Sequence, residues 1–114
     1  MNPLRVTDYN DPVDFLNATL TSIQEANPQF SMRAWAKQLG LSHVAMLSMV
    51  LSKKRRLLPG LSGKISKQLQ QTGRFTENDA RYFDMLVLFN NSSTVEEKTF
   101  YQGILSSLRP DQQF

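Results

Sequence analysis

The chain has 114 residues, 40% hydrophobic and 20% charged, with a formal net charge of +3 and no cysteine. This length and composition suit one globular domain with a modest core. They exclude wholesale disorder, disulfides, thiolate metal sites and cysteine nucleophiles. No apolar run approaches the roughly 18 residues of a bilayer span. The opening MNPLRVTDYNDPVDF lacks the apolar segment of a secretion signal. A cytoplasmic protein is expected, and no contact with a membrane.

Asp11-Pro12 reads as the cap and first position of a helix. Val13, Leu16, Leu20 and Ile23 then recur at helical spacing, and Asn27-Pro28 ends the element. Ser31 caps a second helix over residues 32 to 39, with Trp35, Ala36 and Leu39 facing inward and Gly40 closing it. Ser42 caps a third, expected to run to about Ser52 with His43 as its first residue, and Pro59-Gly60 marks a break. Leu61, Ile65 and Leu69 carry a fourth helix over residues 61 to 71, followed by Gly73. Thr76 with Asp79 opens a fifth, carried by Tyr82, Phe83, Leu86, Val87 and Phe89 and closed by Asn90-Asn91. Thr94 with Glu97 opens a sixth, which places Phe100, Ile104, Leu105 and Leu108 on one side. Arg109-Pro110 stops it, and the last four residues are expected to fray. No segment makes a convincing strand, and there is no internal repeat. The expected fold is an all-α bundle of five to six helices in a single domain over residues 1–114. Its core is a helix-turn-helix unit at 31–71, and a C-terminal helical pair follows at 76–108.

Charge is segregated along the chain. Residues 26 to 76 hold no acidic side chain and nine basic ones: Arg33, Lys37, Lys53, Lys54, Arg55, Arg56, Lys64, Lys67 and Arg74. The flanks carry net charges of −3 before and −3 after. A one-signed segment between acidic flanks is the electrostatic footprint of a polyanion partner.

The second helix, its short turn and the third helix form the informative unit. Gly40 permits positive φ, and the chain restarts at once, which sets two helices at a steep angle. In such a unit the second helix presents its N-terminal half to the major groove. With Leu47, Val50 and Leu51 packed inward, and Val44 one turn earlier, His43, Ala45, Met46, Ser48 and Met49 lie outside. His43, Ala45, Met46 and Met49 are therefore the residues expected nearest the bases of double-stranded DNA. Arg33, Lys37, Lys53, Lys54, Arg55, Arg56, Lys64 and Lys67 are expected on phosphates. Phosphate contacts carry affinity and salt dependence without reading sequence. A homodimer is expected, because one short helix reads few base pairs. The outer face holds no Arg, Asn or Gln, the side chains of the common bidentate base contacts. That motivates a competing expectation. In it this surface is a protein-interaction module, docking an acidic or apolar partner through Met46, Met49 and the basic cluster.

Three stretches, NPQFSMRAWAKQLGLS, LSMVLSKKRRL and DARYFDMLVLFNNSSTVEEKTFY, carry a resemblance. Residues 27 to 108 resemble the N-terminal region of a family of bacterial helix-turn-helix proteins met mainly in Fibrobacter- and Bdellovibrio-type genomes. The middle part is also similar to the broader phage-repressor-like, five-helix fold. The resemblance implies transcriptional regulation, and nothing about the further C-terminal domain that members of the family usually carry. One departure stands out. Where the family pattern has Gly-Lys-Arg after the third helix, this chain has Lys53-Lys54-Arg55. If that turn needs a left-handed residue, lysine costs about 1 kcal/mol relative to glycine. An antitoxin-like or phage-type accessory role on the same fold is a third expectation.

Catalysis finds no support. Glu96-Glu97 lies in a helix's first turn, where the macrodipole accounts for acidic residues. There is no Gly-rich phosphate loop and no nucleophile–base pattern. His43 is the single histidine and lacks a second ligand for a metal. No enzyme activity, cofactor or metal is expected. The aromatic residues Tyr82, Phe83, Phe89, Phe100 and Tyr101 are expected to pack the last two helices against the rest, with a dimer interface as the second choice.

Overall fold

A computed structural model describes residues 4–109. The expected fraying of the last four residues, and Pro110 as a helix stop, lie outside them. Among the described residues there are six α-helices, a short 3-10 turn at Val6–Asp8 and no strand. The helices are α1 (Pro12–Ala26), α2 (Met32–Gln38), α3 (Val44–Leu51), α4 (Pro59–Gln71), α5 (Glu77–Asn91) and α6 (Val95–Leu108). None of them is long and apolar enough to cross a membrane.

Most helix starts follow their caps. The Asp11 carboxylate accepts from the Val13 amide at 2.8 Å, with Pro12 at the first position. Ser31 Oγ accepts from Ala34 N, Thr76 Oγ1 from Asp79 N and Thr94 Oγ1 from Glu97 N, each at 3.1 Å. At Thr76 the box is reciprocal, because the Asp79 carboxylate accepts from the Thr76 amide. Two starts differ from expectation. The cap of α3 is His43, one residue after Ser42, in extended backbone and without a side-chain cap bond. Pro59 belongs to α4 as its first position and is not a break. Its missing N–H is one that a helix start leaves unpaired anyway.

Three helices end in the same hydrogen-bonded corner. After α2, Gly40 N donates to Lys37 O and Leu41 N to Ala36 O, both at 3.0 Å, with Gly40 at φ +76°. After α4, Gly73 N donates to Gln70 O and Arg74 N to Leu69 O, with Gly73 at φ +81°. After α3, Lys53 N donates to Val50 O at 3.0 Å and Lys54 N to Met49 O at 2.9 Å, with Lys53 at φ +64°. All three are Schellman closures, and two use the residue free of Cβ strain. Lys53 is the only non-glycine residue with positive φ among the described residues.

α5 is the hub, touching α1, α4, α6 and the 3-10 turn. It buries Tyr82, Phe83, Leu86 and Val87. Phe15 of α1 stacks on Phe75 at 5.6 Å between ring centroids, and both lie against Phe83. Trp35, Leu16, Leu47, Ile65 and Leu69 complete the deepest layer. Phe100 is a correction: it is 64% exposed, in a T-shaped pair with its chain neighbour Tyr101. The buried side of α6 is set by Leu105, with Leu108 partly covered. Phe100 lies five residues from Leu105, close to the opposite face at 100° per residue.

Candidate functional site

The site is built from α2, its corner, α3 and the loop that follows. α3 has eight residues and divides cleanly. Leu47, Val50 and Leu51 are buried, while Ala45, Met46, Ser48 and Met49 are exposed, as is its cap His43. Met46 and Met49 are each 40% exposed. The inward triad fixes the helix's rotation, and the Asn17 side-chain amide donates to Leu51 O at 2.9 Å, tying its end to α1. The four residues expected nearest a partner therefore share the outer side of one short helix.

The basic loop is pinned along its length. Met49 O accepts from the amides of both Lys54 and Arg55. Leu57 is buried, and its carbonyl accepts from Asn91 Nδ2 of α5 at 2.8 Å. Lys53, expected on a phosphate, instead reaches the start of α1, with Nζ at 2.8 Å from Asp14 and 3.1 Å from Asp11. The hydrogen bonds to Asp14 and then Asp11 raise its ammonium above the ordinary lysine value. Lys53 thus holds the corner, and both carboxylates lie outside the acid-free window. Nothing local in the sequence signals that pair.

Lys54, Arg55 and Arg56 are exposed, and no carboxylate pairs with them among the described residues. Arg55 Nη1 donates to the Met46 thioether, Sδ at 3.6 Å, a weak acceptor. That contact lays a guanidinium against the outer side of α3. Arg33 and Lys37, one turn apart on α2, are exposed, as are Lys64 and Lys67 on α4. Gln68 joins the two helices. Its Oε1 accepts from Trp35 Nε1 at 3.3 Å and its amide donates to Gln38 Oε1 at 3.0 Å. Lys64 and Lys67 both precede Gln68, by four residues and by one, on the helix that meets the end of α2.

Two features are not legible in the sequence. Between α3 and α4 lies an open groove of about 520 Å³, with Leu41, Met46, Val50, Leu58 and Leu61 as apolar walls. Arg55, Arg56 and Lys64 also line it. Leu58 beside it is 57% exposed. On the far side of α4, Asp84 of α5 borders a shallow hollow with Ser62 and Val87. Burial pushes its carboxyl above the ordinary range, against a hydrogen bond with Ser66 that lowers it. No group of three or more His, Cys, Asp or Glu side chains suited to a metal occurs among the described residues.

The arrangement offers an exposed helical ridge, an apolar groove, and beside them the cations Lys54, Arg55 and Arg56, which make no ion pair among the described residues. Comparison with protein-family models, with curated proteins and with solved structures finds no match.

Proposed function

We propose that the chain is a DNA-binding transcriptional regulator of the cytoplasm, with a phage-repressor-like helix-turn-helix formed by α2 and α3. The observation that carries this reading is the two-sided character of α3, set beside Lys54, Arg55 and Arg56 of the next loop, which make no ion pair among the described residues. Leu47, Val50 and Leu51 face the core, while His43, Ala45, Met46 and Met49 face out. α3 would lie in the major groove. His43 would offer hydrogen bonds to base edges, and Met46 and Met49 would meet thymine methyl groups. Lys54, Arg55 and Arg56 would grip phosphates, with Arg33, Lys37, Lys64 and Lys67 extending the footprint. A homodimer would place two such helices on half-sites about 34 Å apart.

The test is titration of duplex DNA at several salt concentrations. Four to six phosphate contacts give a log–log slope of about −4 to −5. Charge reversal at Lys54 or Arg55 flattens that slope by about one for each phosphate no longer neutralised. No binding at about 50 mM salt removes this reading.

A second reading has its own observation. Met46 and Met49 are each 40% exposed on a face without Arg, Asn or Gln. Exposed methionines suit adaptable protein contacts. As a protein-interaction module, the same surface would dock an acidic or apolar partner. Met46→Ala with Met49→Ala would then abolish partner binding, whereas a DNA complex held mainly by phosphates would keep most of its affinity.

A further inference from the structure

The groove between α3 and α4 is not required for α3 to lie on DNA, yet it has a definite chemistry. Its walls, Leu41, Met46, Val50, Leu58 and Leu61, are aliphatic or thioether. Its charged members are Arg55, Arg56 and Lys64, all cationic, and no carboxylate lies in the first turn of α4 beside it. None of the three cations has an ion-pair partner among the described residues. Isolated cations beside an apolar hollow favour a ligand that is apolar in body and anionic at one end.

The size discriminates between occupants. A volume of about 520 Å³ lies within the usual range for small-molecule sites, roughly 300 to 1,000 Å³. Nine residues line it. A stable protein interface engages about 20 to 30 on each side, so a small molecule fits better than a folded partner.

We infer that this groove binds a small apolar carboxylate, with its body between Leu58, Leu61 and Val50 and its carboxylate on Arg56 and Lys64. Arg55 is held against Met46 at the same mouth. Two of the cations assigned to DNA phosphates would then be occupied by ligand. The consequence is competition: the acid weakens DNA binding. That consequence rests on the DNA-binding reading, whereas ligand binding itself does not.

The experiment uses the full chain without DNA. Decanoate and 2-naphthoate, an acyl and an aryl body, are titrated beside their neutral amides, with affinity from calorimetry and location from backbone amide NMR shifts. One of the two acids is expected to bind at least about tenfold more tightly than its amide, as a charge-assisted contact implies. Shifts should centre on Met46, Val50, Leu58 and Leu61. The doubly substituted Arg56→Gln, Lys64→Gln chain should lose the preference for acid while binding the amide as before. Both positions are exposed, so its circular dichroism spectrum should match the parent. Equal affinity for acid and amide overturns the inference, as do shifts scattered away from α3 and α4. So does failure of both acids at millimolar concentration, or tight binding of an acidic amphipathic peptide where neither acid binds. Acid binding without DNA binding defeats the DNA reading alone, and DNA binding without acid binding defeats the groove alone.

Discussion

The corner after α3 makes a quantitative prediction, because the same closure occurs three times in one chain. Gly40 and Gly73 hold it at φ +76° and +81°, and a Cβ added at either meets nothing within 4 Å. Replacement by alanine therefore tests conformation without a clash. Left-handed backbone costs an L residue about 1 to 2 kcal/mol, so Gly40→Ala and Gly73→Ala should each lower Tm by at least about 4 °C in a domain of this size. Lys53 already bears that backbone strain at φ +64°, so Lys53→Gly should relieve it. The same substitution removes the contacts to Asp11 and Asp14, so the proper reference is Lys53→Ala, which loses the pair but keeps the strain. The glycine variant should exceed the alanine variant by about 1 kcal/mol in urea denaturation. At molar salt, where exposed pairs are screened, it should exceed the parent protein too. If Lys53→Gly proves no more stable than Lys53→Ala, the chain does not turn left-handed after α3, and the placement of the basic loop fails with it.

Other expectations concern the core, the charges and their pH dependence. Leu47→Ala, at a fully buried position on the inner side of α3, should destabilise by about 2 to 5 kcal/mol in equilibrium unfolding; a loss below about 1 kcal/mol would contradict the assigned rotation of that helix. Asp84→Asn should stabilise at pH 7, because burial raises the carboxyl's pKa and so penalises its charged form in the folded state. Since the unfolded chain titrates near 3.8, that gain should shrink on acidification and vanish below this value; urea midpoints at pH 7 and pH 3 check the sign. The Lys53 pair acts in the opposite direction on the scale. A raised lysine pKa supports the fold below the ordinary value of 10.5 and loses that support only as pH climbs through the raised one. The stability gap between parent and Lys53→Met should accordingly persist from pH 7 to pH 10 and close in stronger alkali.

Local physics made much of this fold legible in the sequence. Apolar residues three and four apart located all six helices, and short polar caps placed the starts of α1, α2, α5 and α6. The two sides of α3 followed from placing Leu47, Val50 and Leu51 inward, with Val44 one turn earlier. Errors arose where local pattern permits two answers. Ser42 is the better capping side chain, yet α3 starts one residue later, after His43, which sits in extended backbone and makes no side-chain cap bond. Proline looked like a break at 59, although the same missing N–H makes it a good first helical residue. Phe100 was grouped with Ile104 and Leu108 by its four-residue spacing, but the contact with α5 runs through Leu105. The Lys53 pair and the α3–α4 groove were invisible for a different reason. Each depends on how distant helices are placed against one another, and spacing along a chain carries no such information.

The single tryptophan gives this molecule a built-in optical reporter. Trp35 is wholly shielded from solvent and donates its indole N–H to Gln68, across the seam between α2 and α4. Ultraviolet emission should therefore be blue in the native state and shift red when that seam parts, before or together with loss of helix. The same unlabelled signal can follow unfolding of the α2–α4 seam without any attached dye.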